Sequence, residues 1–309
     1  MSERIPFRVR PMLATLVRKP FGKPGWVYEE KYDGYRILSY KEGPRVTLLS
    51  RNAHDRTETF SSVAKAIAAL PARTLLLDGE VVVFDERAVS RFQLLQNLKY
   101  RLRYAVFDCL YVDGRDLRAQ PLMLRRAALD EAVARSKSNA TVFTSAVLSP
   151  DGLEAFALAK RKGFEGVVAK DLSARYIEGR SRKWLKFKVH QEDEFLIVGY
   201  TSPAGSRKHF GALLLAAYDR GRLAYVGKVG TGFKRESLGS LFRAFQPLIV
   251  GRAPVTNPPK EPNVTYLAPR LVAQIAYEEL TADYKLRQPV FLGLRDDKRP
   301  REVLLPEAR

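Results

Sequence analysis

The chain has 309 residues, enough to bury a core and, by ordinary domain size, to form about two domains. It is 46% hydrophobic and 28% charged, and none of its apolar runs approaches the roughly 18 residues of a membrane span. The N-terminal MSERIPFRVRPM lacks the apolar core of a secretory leader and Cys109 is the single cysteine, so a membrane role and an intrachain disulfide are excluded and the cytoplasm is expected. Of the formal charge of +19, residues 1–190 carry +14 and residues 191–309 carry +5. Each lysine or arginine docked on a phosphate releases condensed counterions, so this excess favours a nucleic-acid partner over simple solubility.

VYEEKYDGYRILSYK (27–41) reads as a strand pattern broken by Asp33-Gly34, which sets Lys31 near a strand end beside a tight turn. SSVAKAIAAL (61–70) places Val63, Ile67 and Leu70 on one helical face. LLLDGEVVVF (75–84) is an apolar run typical of a strand buried on both sides, with Asp78 and Glu80 sharing a face. YAVFDCLYVDG (104–114) reads as a second buried strand ending in an Asp-Gly hairpin turn, with Cys109 in the core, and a helix is expected from Met123 to about Ser136. SPDGLEAFALAKRKG predicts a helix with Ser149 as N-cap, Pro150 at its first position and Gly163 just past its end, delivering Glu165-Gly166 into the strand VVAK. In WLKFKVH (184–190) alternation aims Lys186 and Lys188 from one face and Leu185 and Phe187 from the other. Arg175, Arg180, Arg182 and Lys183 before them read equally as a charged loop or as contacts to DNA phosphates.

Beyond HQEDE the rhythm changes to short, evenly spaced strands (FLIVGYT, ALLLAAYD, LAYVGKVG), then a helix near 237–246 and a Pro-rich link, which suggests a small β-barrel. The boundary is placed near Gln191, giving domains of 1–190 and 191–309. The fold class expected is α+β: packed antiparallel sheets with helices, followed by the barrel.

Lys31-Tyr-Asp33-Gly34-Tyr-Arg36 heads an ordered series: Ser50-Arg51, Asp78-Gly79-Glu80, Phe107-Asp108, Glu165-Gly166-Val-Val-Ala-Lys170, Lys186-Phe-Lys188 and Arg295-Asp-Asp297-Lys298. A lysine nucleophile must be neutral to attack, which neighbouring cations such as Arg36, Lys186 and Lys188 favour. Glu80 and Glu165 suit a hard cation, and no Cys or His spacing competes for a metal. The series resembles the nucleotidyltransferase motifs of ATP-dependent DNA ligases, most closely the ligase module of the bacterial ligase D family and its stand-alone relatives, from RPMLATL to RQPVFLGLRDDK.

That resemblance implies an adenylation domain followed by an oligonucleotide-binding (OB) fold. It further implies that Lys31 attacks the α-phosphate of ATP, that Arg51, Lys186 and Lys188 hold phosphates, and that Glu80 and Glu165 serve the ribose and a Mg2+ or Mn2+ ion. Phe107 would stack on adenine, Glu29 would lie near the base, and Arg36 would meet the ribose or the nick phosphate. Arg295, Asp297 and Lys298 would reach the pyrophosphate by domain closure. The implied substrate is nicked duplex DNA bound by a monomer near the nucleoid, with Ku and a repair polymerase as end-joining partners, although other repair roles suit the same residues. Almost nothing precedes RPMLATL, so the two domains themselves are expected to clamp DNA. An RNA ligase or an RNA-capping guanylyltransferase would share the lysine chemistry, and a catalytically silent DNA-binding module would share the charge.

Overall fold

The computed structural model describes residues 4–306 apart from 18, 96–99, 135–139, 190, 204–208 and 234. The chain divides into two compact units, Met1–Val189 and His190–Arg309. The expected helix end at Ser136 lies outside the described residues, as does residue 190 next to the expected boundary near Gln191. Among the described residues, no helix is long and apolar enough to cross a membrane.

In the first unit the elements run β1 (Met12–Leu16), β2 (Trp26–Glu30), β3 (Tyr35–Glu42), β4 (Arg45–Ser50), α1 (Ser61–Ala68), β5 (Thr74–Val82), α2 (Phe92–Leu95), β6 (Arg103–Val112) and β7 (Arg115–Asp116). They continue with α3 (Leu122–Ala134), β8 (Val142–Thr144), β9 (Val147–Ser149), α4 (Gly152–Lys162), β10 (Gly166–Asp171) and β11 (Gly179–Lys188). They form two sheets, one ordered β1-β11-β10-β2-β9 and the other β4-β3-β5-β6-β7 with β8 added to β6. Pairing is antiparallel except for β1 with β11 and β6 with β8.

Three apolar layers follow from strand alternation. One face of the second sheet packs on α1 and α3 through Ile37, Leu75, Leu77, Val106, Val63, Ile67 and Leu129. The opposite face supplies Leu38, Leu76 and Phe107, which meet Tyr176 and Trp184 from the other side of the cleft. The far face of the first sheet carries Tyr28, Val167, Ala169, Leu185 and Phe187 against Ala155 and Ala159 of α4. Cys109 is core, and burial pushes its thiol up to about 12, which makes it inert.

Local chemistry departs from the sequence reading at four places. The N-cap of α4 is Asp151, whose carboxylate accepts from the amides of Leu153 (2.8 Å) and Glu154 (3.0 Å). Ser149 instead sits two residues earlier, accepting from the Asp151 amide, because a helix starting at Gly152 puts the orphan amides in reach of Asp151. Asp33-Gly34 is an anchor more than a turn: the Asp33 carboxylate accepts from the Phe92 amide at 2.9 Å. A Cβ on Gly34 would come within 2.2 Å of the Val81 carbonyl, so no larger residue fits between β3 and β5. Of the two acids in β5, Asp78 is the fully buried one and Glu80 is half-buried. Finally, Arg180, Arg182 and Lys183 belong to β11 and not to a loop, and Lys183 pairs with Asp171 at 2.9 Å. The Asp113-Gly114 hairpin is as expected, both residues having positive φ.

The second unit comprises β12 (Glu192–Thr201), β13 (Leu213–Asp219), β14 (Arg222–Val229), α5 (Arg235–Phe245), β15 (Ile249–Val250), β16 (Val264–Ala276) and β17 (Val290–Leu294). The strand order is β14-β13-β12-β16-β15, and β17 also pairs with β16. A bridge from Thr231 to Val290 ties the end of β14 to β17 and curls the sheet into an OB-type half-barrel around Phe195, Ile197, Leu215, Val226 and Phe245.

In the first unit, Arg125 of α3 and Asp108 of β6 are fully buried and pair twice, at 2.7 and 2.8 Å, while Arg125 also donates to the carbonyls of Gln120 and Ala174. Removing one member strands a charge in the core. Arg125→Met is therefore expected to destabilise the protein by roughly 3–5 kcal/mol in denaturant unfolding, and Arg125→Met/Asp108→Leu by distinctly less.

Candidate active site

Lys31 emerges at the end of β2, where its amide donates to the Gly166 carbonyl at 3.0 Å. A Cβ on Gly166 would lie 2.0 Å from the Phe187 carbonyl, so glycine there lets β10 close against β11 directly behind the lysine. The Lys31 ammonium forms an ion pair with the Glu165 carboxylate, which is buried in the wall of the cleft. Strand register then assembles the rest of this wall. Val168 of β10 lies opposite Glu29 on one side and Lys186 on the other, so these three share a face, and Lys188 follows two residues along β11 on that face. Leu185 and Phe187 point into the core under α4, as the alternation predicts.

On the facing sheet, Arg36 of β3 is in register with Glu80 of β5. Arg36 does not present a free guanidinium to the cleft. It binds Asp78 twice, at 2.5 and 2.6 Å, and donates to the Met12 carbonyl at 3.1 Å. Tyr176 donates its hydroxyl to the same carboxylate at 2.7 Å and accepts from the Met12 amide at 2.9 Å. Burial disfavours the Arg36 charge, yet the Asp78 carboxylate overrides it and raises the pKa further. Here Arg36 and Asp78 tie β1, β3 and β5 together.

Phe107 is 7% exposed, with the Arg36 guanidinium 4.5 Å and the Lys170 ammonium 4.2 Å from its ring centroid. Trp184 meets it edge-on at 5.9 Å. A base stacking on this ring would have to displace one of those cations. Glu29 is the centre of a buried ion network that the sequence reading left incomplete: Lys170 donates to its Oε2 at 2.8 Å, and Arg126 of α3 pairs with its Oε1. Desolvation pulls the Lys170 ammonium below the ordinary lysine value, only partly offset by Glu29. Lys170 stood in the quoted Glu165–Lys170 string without a role, and Arg126 gave no signal beyond a polar position on a helix.

Arg51 lies in the turn after β4, half-buried, in a loop tied by the Ser50 and His54 backbones at 2.9 Å and by the Ser50 hydroxyl. In the second unit, Arg295 is buried and binds Asp297 at 2.8 and 2.9 Å and Gln274 at 2.7 Å. Burial works against the Asp297 charge, but the Arg295 guanidinium holds its carboxyl below the usual range. Lys298 pairs with Glu194 at 3.0 Å and is the least buried of the three.

Among the described residues no cluster of three or more His, Cys, Asp or Glu side chains is arranged to hold a metal on its own. Two carboxylates nevertheless fit a hard divalent cation of the kind that keeps waters and takes its other oxygens from substrate phosphates. Glu165 is held against the Lys31 ammonium, and Glu80 stands half-buried on the other sheet.

Comparison with known proteins bears on this geometry. Residues 11–188 match the model of the ATP dependent DNA ligase domain, and residues 206–298 match that of the ATP dependent DNA ligase C terminal region. The chain is 41% identical over 310 residues to the multifunctional non-homologous end joining protein LigD of Pseudomonas aeruginosa, covering 97% of this chain and 37% of that protein. It is 33% identical over 327 residues to a DNA ligase of Thermococcus fumicolans, covering 96% of this chain and 57% of the relative. The chain thus spans about two fifths to three fifths of the curated relatives it matches. Among solved structures, mycobacterial DNA ligase D complexed with ATP and MES superposes with a TM-score of 0.73 at 34% identity, covering 96% of this chain and 98% of that one.

One acid beside Lys31 was not anticipated. Glu30 is partly buried, with the Ser90 hydroxyl 3.5 Å away, and desolvation pushes its carboxyl up to about 8 against that contact. The folded state holds this proton more tightly than the unfolded state, so stability falls as pH rises from the ordinary glutamate value toward 8. Glu30→Gln is expected to flatten that decline and to unfold at higher denaturant than the parent at pH 8–9, with the two alike near pH 4, in unfolding titrations across the range.

Proposed function

The chain belongs to the ATP-dependent DNA ligase family, and from that premise we propose that it seals 5′-phosphate/3′-hydroxyl nicks in duplex DNA through an AMP adduct on Lys31. The observation that carries the residue assignment is the juxtaposition of Lys31 with Glu165 in a wall that also holds Lys186 and Lys188. In the first step the neutral Lys31 amine attacks the α-phosphorus of ATP. The N–P bond forms as the P–O bond to pyrophosphate breaks, and the amine gives up its proton to solvent. The AMP then passes to the 5′-phosphate of the nick, freeing Lys31, and the 3′-hydroxyl attacks that phosphate and expels AMP.

Each role follows from where a side chain stands. Lys31 must leave its Glu165 partner to present a lone pair, and Lys186 and Lys188 on the same face offset charge developing on the phosphates. Arg51 adds a cation from the loop after β4. Glu80 faces the ribose, Glu29 the base, and Phe107 stacks on adenine once a cation against its ring is displaced. A Mg2+ or Mn2+ ion held by Glu80 and Glu165 would supply neutralisation of the triphosphate charge. Arg36 serves the reaction by fixing Asp78 and β1, beneath any contact it makes to ribose or phosphate. In the second unit, Arg295 and Asp297 brace the loop that carries Lys298, and all three are proposed to serve the pyrophosphate.

The likeness to proteins named for non-homologous end joining supports work in end joining, and the proposal adds Ku and a repair polymerase as partners of a monomer in the cytoplasm at the nucleoid. The high positive charge supports binding to the DNA backbone by phosphate contacts.

With α-labelled ATP and a divalent cation, the full chain is expected to acquire a covalent, acid-labile label that discharges into sealed nicked DNA. Lys31→Ala should abolish both, and Lys186→Ala should slow labelling by about 10²–10³-fold. Discharge only into nicked RNA would move the protein to the RNA ligases, and labelling by GTP in place of ATP to the guanylyltransferases. Absence of label after pyrophosphate stripping would leave a DNA-binding module without catalysis.

A further inference from the structure

We infer that Arg126, on helix α3, is a positioning residue for base selection: it locks the Glu29 carboxylate as a hydrogen-bond acceptor at the base end of the nucleotide cleft. The inference rests on the reading that the cleft takes ATP with its base toward Glu29. What the structure adds is the source of that carboxylate's orientation.

Glu29 is 1% exposed, and its two oxygens are divided between two cations that arrive from different directions. Oε2 takes the ammonium of Lys170, from the neighbouring strand β10. Oε1 takes the guanidinium of Arg126, which reaches across from α3 and also donates to the Ser145 carbonyl at 3.2 Å. The helix itself is fixed one residue earlier by the buried pair of Arg125 with Asp108. Arg126 is therefore a rigid brace: a planar fork with one arm on the carboxylate and one on a backbone carbonyl, carried on a helix pinned to the second sheet. Lys170 cannot do this alone, because a four-carbon ammonium constrains direction poorly and its charge is weakened by burial.

An ionised carboxylate accepts hydrogen bonds and donates none, and each oxygen keeps lone-pair capacity beyond one cation contact. A buried acceptor held in place favours a base that offers an amine at its 6-position and rejects one that offers a carbonyl oxygen there, since two acceptors facing each other leave both unpaired. Adenine has the amine; hypoxanthine and guanine have the carbonyl. Without Arg126 the carboxylate would be free to rotate, and its acceptor would no longer be held against the base. The discrimination should then fall.

The test is the rate of Lys31 adduct formation with ATP, with inosine triphosphate and with purine riboside triphosphate, which lacks any 6-substituent. Arg126→Met is expected to raise the KM for ATP about tenfold or more with kcat changed less than about threefold, and to lower the preference for ATP over inosine triphosphate by about tenfold, as loss of a charge-assisted hydrogen bond does. The KM for purine riboside triphosphate should move by less than about threefold. Glu29→Gln should erode the same preference, and adding Arg126→Met to it should cause little further loss. If Arg126→Met fails to fold by thermal unfolding, Arg126→Lys decides: an intermediate preference supports the inference, and a parental one overturns it. Equal loss of all three nucleotides through kcat, or an unchanged preference for ATP, would also overturn it. If the parent chain forms no adduct with any nucleotide, the ligase reading itself has failed, which is a different result.

Discussion

Charged groups taken out of water must be paired, and in the first unit that requirement organises the space between the two sheets. Arg36 with Asp78, Lys170 and Arg126 with Glu29, and Lys31 with Glu165 each couple residues far apart in sequence. The first pair ties β3 to β5 and draws in β1 through Met12, the second ties β2 to β10 and α3, and the third holds Lys31 against the start of β10. Trp184 and Phe107 fill the gap between the pairs with aromatic surface, against which Lys170 sits at 4.5 and 4.2 Å from the ring centroids. In a low-dielectric setting such pairs hold geometry more than they add net stability, which is what a reaction centre needs from them.

The same constraint divides the polar residues into two kinds. Asp78, Asp108, Arg125, Arg295 and Asp297 are committed to partners that hold elements together. Lys31 and Glu165 are paired where the lysine stays partly exposed, and in the proposed reaction exchange of that partner lets chemistry begin. In the proposed reaction a nucleoside triphosphate brings its own negative charge and competes for the cations, which would link its binding to breaking of the Lys31 pair.

Much of this was legible in the sequence because period and spacing are local properties. The alternation in WLKFK put Lys186 and Lys188 on one face, and the apolar runs at 75–84 and 104–114 gave the two central strands. What period cannot give is who meets whom across the fold. The pairing of Arg36 with Asp78 and of Arg126 with Glu29 joins residues 42 and 97 positions apart, which no local pattern reports. Helix capping misled for a smaller reason: Ser149, Pro150 and Asp151 all suit a helix start, and only the register of the first turn chooses Asp151. Glu30 escaped notice because an acid next to a lysine at a strand end reads as solvated until Ser90 and its surroundings close over it.

Lys31 is the residue proposed to carry the nucleotide, and Lys170, Lys186 and Lys188 stand on the strands beside it. The most direct measurement is intact-mass analysis of the protein after exposure to ATP and a divalent cation, followed by fragmentation of the modified peptide to locate the adduct. A single AMP on Lys31 is the predicted result. An adduct on Lys170, Lys186 or Lys188, in protein whose Lys31 is unmodified, would contradict it.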